Sequence, residues 1–204
     1  MSYQRRDAFH QRARQEGYRS RAAYKLSEIQ RTRRLLRPGQ RVVDLGCWPG
    51  AWLQVAAKAV GAKGRVVGVD LAAIEPPLEI ENVFSITGDL SDLPVLEEVL
   101  ERLGGPAQVL LSDAAPKLTG VRSTDRAREE SLLEAIEVAI PRLLQEPGGD
   151  LLVKLLDCPE AQAFERRTRS HFESARILKP KASRKGTTER YLLARGYRVP
   201  ARAE

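Results

Sequence analysis

The sequence predicts a doubly wound α/β domain: a mainly parallel, seven-stranded sheet with one antiparallel strand and helices on both faces. Three observations predict it. Short apolar runs alternate with longer segments of helical spacing, the pattern of βαβ units on a parallel sheet. Glycine or proline marks many junctions, as at Pro38-Gly39, Gly61–Gly64 and Pro147-Gly148-Gly149. The last two strand candidates have no obvious helix between them, so they can pair as a hairpin and leave one strand antiparallel.

Residues 21–36 place Ala22, Leu26, Ile29 and Leu36 at near-helical spacing, with Ser20 positioned to cap the helix and Pro38-Gly39 to stop it. Val42-Val43-Asp44-Leu45-Gly46 reads as the first strand, followed by helical residues 52–60. Residues 65–70 form the second strand and 83–86 the third; Ser91 or Asp92 then caps a helix through Leu103. Residues 109–113 are the fourth strand, and a long amphipathic helix covers 124–144. The fifth strand is 151–156, residues 160–171 are helical, and 173–178 and 190–195 are the last two strands. There is no internal repeat.

At 204 residues the chain fits one domain, read as a basic extension (1–20), the α/β domain (21–197) and a short tail (198–204). No apolar run approaches the roughly 20 residues of a membrane-spanning helix, and the N-terminus lacks the apolar core of a secretory signal. Cys47 and Cys158 make neither a metal-ligand spacing nor a disulfide framework. The expectation is therefore a cytoplasmic, monomeric protein without a metal. Charge is segregated. Residues 1–41 carry +9, residues 42–163 carry −10 and residues 164–204 carry +8. An acidic body between basic ends suits a polyanion on the termini and a different ligand in the middle.

Ligands of open α/β sheets bind beyond the carboxyl ends of the strands. Asp70, Asp89 and Asp113 fall at or near three such ends, and the first strand runs into Gly46-Cys47-Trp48-Pro49-Gly50-Ala51-Trp52. Gly46 and Gly50 let this loop turn tightly against a ligand. It is not a dinucleotide fingerprint, and it has no basic residue for a pyrophosphate. Carboxylates repel phosphate but welcome a sulfonium cofactor. Asp70, about 20 residues past the glycine turn, suits both ribose hydroxyls; Asp89 suits an adenine amino group, and Trp48 and Trp52 are candidates to pack on the cofactor. Taken singly, each carboxylate reads better as a helix cap or a solvated acid, and each tryptophan as core. Their order at strand ends points to an adenosine-type ligand.

These residues carry a family resemblance. The segments Ser20–Leu26, Val43–Gly46 with Pro49–Trp52, Gly88–Leu90, Ser112–Pro116, Val153-Lys154 and Glu189–Tyr191 resemble, in that order, the FtsJ/RrmJ (RlmE) family of ribosomal RNA ribose 2′-O-methyltransferases, from about residue 17 to 195. The resemblance implies a Rossmann-like class I fold and S-adenosyl-L-methionine as cofactor, contacted by Gly46, Gly50, Trp52, Asp70, Asp89 and Asp113. It implies a catalytic tetrad of Lys25, Asp113, Lys154 and Glu189. It further implies a uridine in the A loop of 23S rRNA, within the large ribosomal subunit, rather than DNA.

The chemistry accounts for a lysine at such a site. A ribose hydroxyl is a weak nucleophile and gains from losing its proton as the new bond forms. A lysine serves as base when burial and nearby positive charge lower its pKa from about 10.4 towards neutrality. Lys154 interrupts an otherwise apolar strand, Leu151-Leu152-Val153-Lys154-Leu155-Leu156, where a lysine is seldom placed without cause; the competing reading is an edge-strand lysine reaching solvent. Lys25 then orients the hydroxyl or raises the positive potential, Glu189 positions a lysine or the ribose, and Asp113 holds Lys154. No aromatic follows Asp113-Ala114-Ala115-Pro116, which argues against a methylase that flips a base onto a ring. Cys158 leaves a thiol-dependent base methylase as an alternative.

Arg5, Arg6, Arg12, Arg14, Arg19 and Arg21, interleaved with Tyr3 and Tyr18, can clasp phosphates from one end, and Lys179, Lys181, Arg184 and Lys185 from the other. Cys47-Trp48 stands where relatives carry small residues, so the indole must fit or turn outward; Ala51 replaces a frequent glycine. The alternatives are a tRNA 2′-O-methyltransferase, a non-catalytic RNA-binding assembly factor and a nicotinamide-dependent oxidoreductase, the last opposed by the missing glycine fingerprint.

Overall fold

The computed structural model describes residues 8–116, 119–183 and 186–198. The sheet strands are β1 (Arg41–Leu45), β2 (Arg65–Asp70), β3 (Val83–Thr87), β4 (Val109–Ser112), β5 (Asp150–Leu155), β6 (Phe172–Leu178) and β7 (Arg190–Tyr197), in the spatial order β3-β2-β1-β4-β5-β7-β6. Strands β1 to β5 pair in parallel, and β7 runs antiparallel between β5 and β6. The last two strands do form a hairpin pair. Strand order reverses between β1 and β4, which makes their carboxyl ends the topological switch point.

The helices are α1 (Ala8–Gln15), α2 (Ala23–Arg33), α3 (Ala51–Val60), α4 (Leu93–Leu103), α5 (Arg122–Leu143) and α6 (Pro159–Arg169). The helix expected from residue 21 begins at Ala23, because Ala22 takes the N-cap position while the Ser20 hydroxyl accepts the Ala22 N–H at 3.2 Å. It ends at Arg33 because Arg34 turns left-handed, with φ of 49°. Asp92 occupies the N-cap position of α4 but makes no side-chain capping bond; the Ser91 hydroxyl donates instead to Asp89.

Side-chain alternation along the strands divides the core in two. Val43, Leu45, Leu110, Leu151, Val153 and Leu155 pack under α4, α5 and α6. Val42, Val109, Leu111, Leu152, Tyr191 and Leu193 pack under α2 and α3. The same period of two sends Asp44, Lys154 and Tyr191 to the α2–α3 face. Polar groups from three strands therefore meet on one side of the sheet, near its switch point. Among the described residues, no helix is long and apolar enough to cross a membrane.

Candidate active site

Lys154 lies on an interior strand, with β4 on one side and β7 on the other, and its side chain is 9% exposed. The edge-strand reading is thereby excluded. Its Nζ lies 3.3 Å from Asp113 Oδ1 and also donates, in a short hydrogen bond, to the Asp113 carbonyl. Asp113 follows β4 directly, so the turn leaving that strand supplies both acceptors. Lys25, one turn into α2, reaches the same carboxylate at 3.6 Å and Glu189 at 3.0 and 3.1 Å. Glu189 immediately precedes β7, whose Tyr191 is the register partner of Lys154. The four residues named from the sequence thus form one contiguous group of alternating charge. Burial alone would push the Glu189 carboxyl up, but the Ser183 hydroxyl and the Lys25 ammonium outweigh it and hold the group below the ordinary range.

Two members of this site were missed in the sequence. The Tyr191 hydroxyl donates to Asp113 Oδ1 at 2.6 Å from a fully buried ring, so three donors converge on one oxygen. Burial, followed by the Asp113 charge, pushes the Tyr191 phenol well above its ordinary value, keeping it a donor. Asp44 is buried on β1, and neither carboxylate oxygen has a hydrogen-bond partner among the described residues. Burial, then the charges of Asp113 and Asp70, push its carboxyl well above the usual carboxylate range. The sequence held a signal for Asp44 of the kind that singled out Lys154, a charge inside an apolar strand.

Asp44, Gly46, Trp48, Trp52 and Asp113 are among the residues around a small cavity, about 30 Å³, between the loop after β1 and the start of α2. Trp52 is buried, braced by its indole N–H on the Ala22 carbonyl at 2.9 Å, with its ring 5.9 Å from that of Tyr191. Asp70 ends β2 and accepts the N–H groups of Trp48 (2.9 Å, Oδ2) and Ala72 (3.0 Å, Oδ1), which leaves acceptor capacity on each oxygen. Asp89, just past β3, is exposed, and its carboxyl is held low by the Ser91 hydroxyl and N–H. The larger surface concavity, about 620 Å³ between Arg65, Phe84 and the outer face of α4, opens at the amino ends of the strands, away from all these groups.

The residues fit a cationic adenosyl cofactor. An orphaned buried carboxylate calls for a cation or donor, and Asp70 and Asp89 offer acceptors along the neighbouring strand ends. Gly46, at φ 77°, turns its backbone against Ala114, where an added Cβ would overlap the Ala114 side chain. Gly46→Ala is therefore expected to cost about 2 kcal/mol or more, read as a lower urea midpoint; an unchanged midpoint would refute this packing.

The loop resolves the bulky Cys47-Trp48 pair. Cys47 turns inward over Gly68, where any side chain at residue 68 would meet its sulfur, and Trp48 turns outward. Burial pushes both the Cys47 and Cys158 thiols up. That opposes a thiolate nucleophile and the thiol-dependent alternative. Some of the expected phosphate clasps have internal work. Arg19 donates to the carbonyls of Glu75, Pro76 and Pro77, Arg21 to that of Ala182, and Arg12 pairs with Glu16. Arg14, Lys179 and Lys181 are exposed. Tyr3, Arg5, Arg6, Arg184 and Lys185 lie outside the described residues.

Compared with known proteins, residues 18–197 match the family model for FtsJ-like methyltransferases. The chain belongs to that family. It is similar to the ribosomal RNA large subunit methyltransferase E of Acidithiobacillus ferrooxidans, 45% identical over 93% of this chain and 84% of the relative. Among solved structures, a ribosomal RNA methyltransferase from Plasmodium falciparum superposes with a TM-score of 0.76 at 27% identity, covering 88% of this chain and 98% of that one. Aeropyrum pernix fibrillarin, solved with natively bound S-adenosyl-L-methionine, shares the fold at a TM-score of 0.60 and 17% identity, covering 87% of this chain and 75% of its own. The chain is thus an FtsJ-like methyltransferase of Rossmann-like fold, with the charged cluster at the switch point of its sheet.

Proposed function

We propose that this protein transfers a methyl group from S-adenosyl-L-methionine to a ribose 2′-hydroxyl of large-subunit ribosomal RNA, with a uridine of the A loop in 23S rRNA as the target. The observation that carries the reading is the convergence of Lys25, Lys154 and Tyr191 on Asp113, with Glu189 on Lys25, beside an unpartnered Asp44. The cofactor, when bound, supplies an electrophilic methyl group on a sulfonium. Fibrillarin's bound ligand and the acidic strand ends support that choice, and the names of the large-subunit relatives support the RNA.

Each residue then has a task. Gly46, Gly50, Trp52, Asp70 and Asp89 form the cofactor wall. Asp44 offers an uncompensated carboxylate to the cofactor's positive end. Asp113, held by the Tyr191 hydroxyl, fixes Lys154. The Lys154 amine takes the proton of the ribose hydroxyl as the bond to carbon forms. Lys25, steadied by Glu189, orients the hydroxyl oxygen. Orientation matters because an in-line displacement tolerates little misalignment. The tetrad is complete within one chain, which supports a monomer, and an rRNA substrate supports a cytoplasmic location.

Labelled S-adenosylmethionine offered to large ribosomal subunits, free rRNA and tRNA tests the reading. Label is expected on one ribose of the large subunit, in an alkali-resistant linkage, with a rate that falls steeply with salt. Label on a base, on tRNA alone or on no RNA would overturn it.

A further inference from the structure

Trp48 is the most exposed aromatic among the described residues, 58% open to solvent. A single apolar side chain at a surface requires no explanation, but this one is presented in a defined way. Its backbone N–H is tied to Asp70, and Gly50 N–H closes the turn around it on the Cys47 carbonyl at 2.7 Å. Cys47 takes the inward direction, so the indole is left outward, on the rim of the cavity that Asp44 and Asp113 line. An indole therefore stands beside the charged cluster, held by a closed turn.

We propose that Trp48 is a stacking platform for an unpaired RNA base beside the target nucleotide, an inference that rests on the RNA substrate proposed above. Reaching a 2′-hydroxyl in folded RNA requires nucleotides splayed from their stacks, and an extruded base recovers its stacking on an aromatic face. The cofactor's adenosine has hydrogen-bond acceptors in Asp70 and Asp89. A base arriving with the RNA needs an open π-face, and Trp48 offers the largest one beside the cluster.

The chain has two tryptophans, and Trp52 is buried, so acrylamide-accessible emission reports Trp48. Titration with oligouridylate is expected to quench that emission saturably and to shield it from acrylamide. Inorganic polyphosphate, which has charge but no bases, and S-adenosylmethionine alone are expected to leave it unchanged. With large subunits as substrate, Trp48→Ala is expected to raise the RNA KM about tenfold, Trp48→Phe to restore most of it, and cofactor affinity to stay within about twofold. Quenching by the cofactor but not by oligouridylate, or an unchanged KM, would overturn the proposal. The quenching assay needs no turnover. Absence of methyl transfer would therefore count against the proposed function, while absence of quenching counts against Trp48.

Discussion

Lys154→Ala is expected to lower methyl transfer about a thousandfold, the middle of the logarithmic range for loss of a general base, while cofactor affinity changes little. The geometry sets this expectation. Lys154 is anchored to Asp113 through both carbonyl and carboxylate, and its side chain is almost closed to water. Removing it leaves Lys25 and Tyr191 to hold Asp113, so the fold retains a satisfied carboxylate. Lys154→Met, nearly isosteric but without the amine, separates lost chemistry from lost packing. Single-turnover transfer to large subunits measures the rate, and calorimetry with S-adenosylmethionine measures affinity. A variant that turns over normally would remove Lys154 as the base; one that loses cofactor binding as well would make it a cofactor ligand.

The second large effect is two-sided. Asp44→Asn is expected to make the cofactor-free protein more stable at neutral pH and to weaken cofactor binding at least tenfold, about 1.4 kcal/mol. The Asp44 carboxyl is raised in the fold by burial and by the charges of Asp113 and Asp70. A raised carboxyl binds its proton more tightly folded than unfolded. The group therefore destabilises the fold progressively as pH climbs above its unfolded value near 3.9. Asparagine abolishes that slope, although its amide still lacks partners. The gain is expected as a higher Tm at pH 7 that shrinks towards pH 4. Thermal unfolding across pH, with and without S-adenosylmethionine, reads both halves. A less stable variant with unchanged affinity would make Asp44 structural only.

Legibility in the sequence differed residue by residue. Lys154 stood out because a charge in an apolar strand breaks a pattern, and its position next to Val153 on β5 followed from period-two alternation. Asp44 broke the same pattern on β1 but was read only as part of the strand that leads into the glycine loop. Lys25 and Glu189 carried no local signal. Each lies in a polar stretch that reads as surface, and only the packing of α2 and of the segment before β7 joins them at 3.0 Å. Trp48 and Trp52, equivalent on sequence, part company in the structure: one is exposed on the rim, the other is bonded to Ala22. Arg19 and Arg21, read as phosphate contacts, brace loops.

What the sequence determined by itself was the succession of strands and helices, the parallel sheet with its reversed last strand, and the acidic residues at strand ends. Apolar periodicity and glycine placement are local properties of the chain, and they fix local geometry. The tertiary structure alone decided which charges face one another. Ion pairs among α2, β5, the turn after β4 and the segment before β7 join residues up to 164 positions apart. Their strength depends on burial and distance, quantities that exist only once the two faces of the sheet are covered.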